Sequence, residues 1–169
     1  MEAFECLLDR RSVRKFREGE IPDETMVEIL KAAMYAPSAG NQRPWHFVVI
    51  RSRKTLERIM GFHPHAGMLK DACLAIAVVA DTNGEKYPGY WVLDCAAATQ
   101  NLLLAAHASG LGACWLGIYP KEERAKELAL LLDLPSGIAP HSLVAVGIPA
   151  SAVPRPERLE PERIHNERW

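Results

Sequence analysis

From Tyr90 to Ser109 the chain is alanine-rich and apolar on most faces. A helix that is hydrophobic all round must be covered on every side. In a chain of 169 residues, the usual size of one domain, such a helix either crosses the middle of a layered structure or lends one side to another subunit. Gly110 closes it as the left-handed residue that commonly follows a helix.

Short apolar runs supply the cover. His46–Ile50 (HFVVI), Leu74–Ala80 (LAIAVVA), Ala113–Ile118 and Leu143–Ile148 read as core strands. Phe4, Leu7 and Leu8 give residues 2–10 the spacing of a short amphipathic helix. A second helix starts near Pro22, Asp23 and Glu24, carries Met26, Ile29, Leu30, Ala33 and Met34 on its apolar face, and is stopped by Pro37. Lys54–Met60 and Lys121–Leu132 complete the helices. Strands separated by helices predict a mixed α+β or α/β sheet, in a single domain over residues 1–169. Beyond Pro149 the chain becomes a tail in which Pro154, Pro156 and Pro161 interleave with Arg155, Arg158 and Arg163. A dinucleotide-binding fold is disfavoured. The one G-x-G, Gly110-Leu-Gly112, has Trp115 where the third glycine belongs, and it precedes a strand.

Charge removes further classes. Twenty Lys and Arg against 21 Asp and Glu leave a net charge of -1, so the chain is no polycation for nucleic acid. No stretch reaches the roughly 18 uncharged apolar residues of a membrane helix. The N-terminus lacks the basic start and apolar run of a secretory signal. Cys6, Cys73, Cys95 and Cys114 are scattered, with no C-x-x-C pair, and read as reduced core thiols. The expectation is a cytoplasmic protein.

Three segments could bind a ligand. Arg10-Arg11-Ser12-Val13-Arg14 places three guanidiniums and a hydroxyl within five residues, which suits phosphate. It also suits a solvated basic surface complementing a helix C-terminus. Pro37–Trp45 carries Ser38, Asn41 and Gln42 on a loop of turn formers, able to hold a planar polar ligand by its edge or to serve as a plain helix-to-strand connection. Gly110–Gly117 brackets an apolar strand with glycines, which lets backbone N–H groups face a ligand. His63 and His65 flank Pro64 without a carboxylate or cysteine nearby and read as surface or packing residues, with no metal site. There is no H-E-x-x-H, G-x-S-x-G or Walker loop. If the chain is an enzyme, its chemistry belongs to a bound cofactor.

In order, "RRSVRKF", "AAMYAPSAGNQRPWHFVVI", "DACLAIAVV", the apolar helix ending "GLGACWLG", and the arginine-rich tail resemble the nitroreductase family of FMN-dependent oxidoreductases over nearly the whole chain. The resemblance implies an α+β sandwich with a mostly antiparallel sheet, working as an intertwined homodimer whose C-terminal tail (149–169) reaches onto the partner. It implies one FMN per active site at the subunit interface. Arg10, Ser12 and Arg14, with Arg11 adjacent, would hold the phosphate and ribityl chain. Arg158 matches a second phosphate-side arginine, and Arg155 lies close to it in sequence. Pro37, Ser38, Ala39 and Asn41, with Gln42 beside them, would line the flavin from the other subunit, and the backbone at Leu116 and Gly117 would face the ring near N5. NAD(P)H would be a visiting substrate in a ping-pong scheme ending on a flat electron-poor acceptor, a nitro compound, quinone or similar, and no side chain would be catalytic in its own right. Two places depart from the common pattern: Arg43 stands before Pro44-Trp45 where many relatives have glutamine, and His65 and Met68 align with polar Asn and Lys. The alternatives are a specialised flavin reaction, dehalogenation or flavin fragmentation, and a non-catalytic flavin- or nucleotide-binding protein.

Overall fold

The strand read at Leu74–Ala80 lies inside the sheet. In the computed structural model, which describes residues 2–169, it forms β3 (Leu74–Asp81), with every residue from Leu74 to Ala80 buried. It is buried because the sheet has helices on both faces. Leu74, Ile76, Val78 and Ala80 join one cluster with Ile29, Ala98 and Leu102. Ala75, Ala77 and Val79 join another with Leu56, Ile59, Leu69 and Leu128. The helices over the first face are α2 (Asp23–Met34) and α4 (Trp91–Ala108); those over the second are α3 (Arg53–Phe62) and α5 (Glu122–Leu131).

The principal strands are all antiparallel. β2 (Trp45–Ile50) pairs with β3, β3 with β5 (Ile138–Pro149), and β5 with β4 (Gly112–Gly117), giving the order β4-β5-β3-β2. The two-residue β1 (Phe16–Arg17) pairs with Pro149 and Ile148 at the end of β5. The fold is therefore α+β with an antiparallel sheet between helical layers.

Most expected elements occur within a residue or two of their predicted bounds. β5 is the exception, because it begins five residues before the predicted Leu143. Pro140 conceals that start, since proline in a strand normally marks an edge or a bulge. A bulge is present: Val78 lies opposite Ser142 and Val79 opposite Pro140, so His141 has no partner on β3. α1 spans Ala3–Asp9, and α2 ends at Met34, before Pro37.

The all-apolar helix is not fully covered within one chain. α4 buries Cys95, Ala98, Thr99, Leu102, Leu103 and Ala106 against the sheet and α2, yet Leu93 remains 63% exposed. On α1, Phe4 and Leu7 are 80% and 53% exposed. From Ala150 to Trp169 every residue is exposed.

Candidate active site

The basic segment is laid along the outer edge of β4. The Val13 N–H donates to the Ala113 carbonyl at 2.9 Å, and Ser12 forms a parallel bridge with Ala113. Gly112 permits this approach, because a Cβ there would lie 2.7 Å from Val13 Cγ1. Arg10 follows the last residue of α1 and is partly buried. Burial pulls its pKa down, and the neighbouring charges of Arg11 and Arg158 pull it down further. Arg10 and Arg14 lie beside the Cys114 thiol with Ser12; burial pushes that thiol up against the opposing pull of the two guanidiniums. Among the described residues Arg10, Arg14 and Arg158 form no ion pair, so a knot of positive charge is left without a counter-ion.

Two of the expected arginines are engaged with the protein itself. The Arg11 guanidinium donates to the carbonyls of Leu8 (2.6 Å), Arg10 (2.5 Å) and Pro154 (3.4 Å), closing the end of α1 and holding the start of the tail. Arg155 pairs with Asp9 at 3.5 Å.

The second group sits on the loop before β2. Gly40, Asn41 and Arg43 all have positive φ (54°, 55° and 50°). For non-glycine residues that conformation costs on the order of 1 kcal/mol each and is concentrated at functional sites. The loop is tied down around it. Ser38 Oγ accepts from the Arg43 N–H at 2.9 Å, which leaves the hydroxyl proton free to donate. Gln42 Oε1 accepts from the Lys86 N–H at 2.7 Å, while its amide nitrogen is buried without a partner. Pro37 and Asn41 are exposed, and Ser38, Ala39 and Gln42 partly so.

Asp94 also holds this loop, a role the sequence reading missed. Its Oδ1 accepts from the Ala39 N–H at 2.9 Å, and its Oδ2 is buried with no partner. The signal was available as the lone carboxylate in an otherwise apolar helix.

The third group is the end of β4. Leu116 is buried and Gly117 exposed, and a Cβ at Gly117 would meet nothing within 4 Å. Its carbonyl accepts from His63 Nε2 and from Arg124 Nη1, both at 3.0 Å. Nearby, the bulge turns His141 in among Trp91, Trp115 and Tyr119, with Tyr119 against Trp91 and the other two around the imidazole. Burial lowers the His141 pKa to about 4.

This has a consequence for acid stability. An unfolded chain protonates His141 near pH 6.5, whereas the folded protein resists until about pH 4. Between these values the unfolded state binds more protons, so stability falls as the pH falls, by about 1.4 kcal/mol per unit for this one group. The His63 pKa is also lowered by burial, and acts in the same direction. Urea unfolding at pH 7.5 and 4.5 should differ by roughly 3 kcal/mol on account of His141, with a smaller difference in His141→Gln. An equal pH dependence in both proteins would contradict this assignment.

Two of the three groups lie at one edge of the sheet and the loop at the other. Residues 37–42 lead into β2 at one edge of the sheet, whereas Arg10–Arg14 and Gly117 lie along β4 at the other. Two strands intervene, a separation of about 14 Å.

Comparison with known proteins identifies the family. The sequence profile of the nitroreductase family matches residues 7–72 and 63–148. The chain belongs to the nitroreductase family. A Methanothermobacter thermautotrophicus relative named "Putative NADH dehydrogenase/NAD(P)H nitroreductase" is 46% identical over 169 residues, 100% of this chain and 88% of the relative. A protein of the same name from Parabacteroides distasonis has a crystal structure that matches with a TM-score of 0.94 at 38% identity, covering 98% of both chains. An FMN-dependent nitroreductase from Clostridium difficile matches with a TM-score of 0.91 at 27% identity, covering 98% of this chain and 99% of the other. This nitroreductase-family chain is thus similar to oxidoreductases along essentially its whole length. Among its described residues no helix is long and apolar enough to cross a membrane.

Proposed function

We propose that the protein is a cytoplasmic FMN-dependent NAD(P)H oxidoreductase acting as a homodimer. The observation that carries the reading is the division of the site: a phosphate-seeking group on one edge of the sheet and a strained polar loop on the other. Two copies related by a dyad would bring one of each together, twice over. The uncovered apolar residues of α1 and α4 and the exposed tail are what such an exchange needs, with residues 149–169 lying on the partner.

FMN fits the residues present. Arg10, Arg14 and Arg158 form a positive knot without a counter-ion, and Ser12 adds a hydroxyl. A dianionic phosphate would relieve the mutual repulsion of the arginines. Arg11 and Arg155 support that knot, since the one fixes the end of α1 and the other pairs with Asp9. Pro37, Ser38, Ala39, Asn41 and Gln42 line the ring from the partner, with the Ser38 hydroxyl free to donate. The open space over Gly117, with Leu116 buried beneath, leaves room for a flat group against the backbone. Held by these residues, FMN would supply redox chemistry between NAD(P)H as hydride donor and a flat acceptor such as a quinone or nitro compound. The chain's residues orient that cofactor and leave one face open, so donor and acceptor use the same place in turn, a ping-pong scheme.

The purified protein is therefore expected to be yellow, or to become so on incubation with FMN. Anaerobic NADH or NADPH should bleach it, and a quinone or nitroaromatic should restore the colour. A protein that stays colourless after reconstitution would overturn the proposal.

A further inference from the structure

The end of β4 is held by side chains from two other elements. The Gly117 carbonyl accepts one hydrogen bond from His63, the residue that caps α3, and one from Arg124 in α5. His63 is 2% exposed, and its second ring nitrogen is also engaged, because the His65 N–H donates to Nδ1 at 3.2 Å. An imidazole that accepts at Nδ1 and donates at Nε2 is neutral and fixed in one tautomer. Turning the ring over would break both bonds. Gly117 has no side chain to hold it, and a glycine at the end of an edge strand has a wide choice of backbone conformations. It lies opposite Ser142 of β5, and the two donors add a hold on its carbonyl.

We infer that His63 is a positioning residue: through its Nε2–H, and together with Arg124, it fixes the Gly117 peptide and hence the backbone against which the flavin ring lies. The inference rests on the FMN reading above and deepens it. A histidine buried only for packing would need neither the fixed tautomer nor the donor.

The tautomer can be read without cofactor. Nitrogen-15 correlation spectra of the apo-protein at pH 7.5 should show His63 as the neutral Nε2–H form; an Nδ1–H form or an averaging ring overturns the assignment. In flavin-loaded protein, His63→Gln keeps a donor near the Nε2 position, and His63→Leu keeps only bulk. The FMN dissociation constant, from fluorescence titration, should rise about tenfold in His63→Leu, the factor that one net hydrogen bond carries. It should return to within about threefold of wild type in His63→Gln. The midpoint potential of bound FMN should move in the leucine variant and recover in the glutamine variant. Unchanged affinity and potential in His63→Leu overturn the inference, and so does an equal loss in both variants, which is what a purely structural imidazole gives. If His63→Leu does not fold, Arg124→Met removes the other donor and is read by the same titration, with the same outcomes for and against. Failure of the underlying reading looks different: wild type itself binds no FMN although the tautomer is as expected, and the inference falls with it.

Discussion

Arg10→Gln is expected to weaken FMN retention by about ten- to a hundredfold while leaving the apo-protein at least as stable as wild type. The two halves of this result have one cause. In the chain alone, Arg10 is partly desolvated and faces Arg11 and Arg158 with no carboxylate in return, and these influences lower its pKa. Removing its charge therefore relieves repulsion in the empty protein. With FMN bound, the same guanidinium would donate charge-assisted bonds to phosphate, each contributing about 1.5–3 kcal/mol. Flavin dissociation constants together with apo-protein melting temperatures check both halves. An affinity unchanged from wild type, or a variant markedly less stable when apo, would show that Arg10 serves the fold and not the phosphate.

Gly112→Ala should lower both the melting temperature and flavin affinity. The added Cβ would lie 2.7 Å from Val13 Cγ1 and 2.8 Å from Val13 Cβ, and neither atom is the tip of a flexible side chain. Either β4 shifts or the Arg10–Arg14 segment lifts off it, breaking the Val13 bond to Ala113. Overpacking of this kind costs about 1–3 kcal/mol, which for a chain of this size lowers the melting temperature by roughly 3–10 °C. Flavin would be lost more readily because Ser12 and the flanking arginines ride on the same backbone. Gly61→Ala, a helical position where a Cβ meets nothing, is the control and should melt no lower than wild type. Equal melting temperatures for Gly112→Ala and the control would refute the steric account.

The layers of the fold were legible because they depend on hydrophobic pattern. β3 reads as an unbroken apolar run because helices cover it from both sides, and α4 reads as apolar all round because the sheet and α2 take much of its surface. What escaped depends on backbone detail. β1 is two residues long, too short for any periodicity, and the start of β5 is masked by Pro140 and the bulge at His141. The candidate site divides in the same way. The Arg10–Arg14 cluster and the 37–42 loop carry their chemistry in residue type and could be picked out from the sequence. Asp94 and His63 could not be given roles, since those roles follow from partners at Ala39 and Gly117 that are distant in sequence. The two histidines around Pro64 read as surface or packing residues with no metal site. Their geometry points instead to the anchoring of a peptide.

The placement of the loop and the arginines on opposite margins of the sheet bears on inheritance as well as chemistry. On the reading proposed above, each copy contributes to two pockets and owns neither, so a lesion in the arginines and a lesion in the loop fall on different halves of the same pocket. When two differently damaged copies join, one pocket collects both lesions and the other is whole. Alleles that are each silent alone could thus restore part of the activity in a mixed population, and dilution that parts the copies would abolish it.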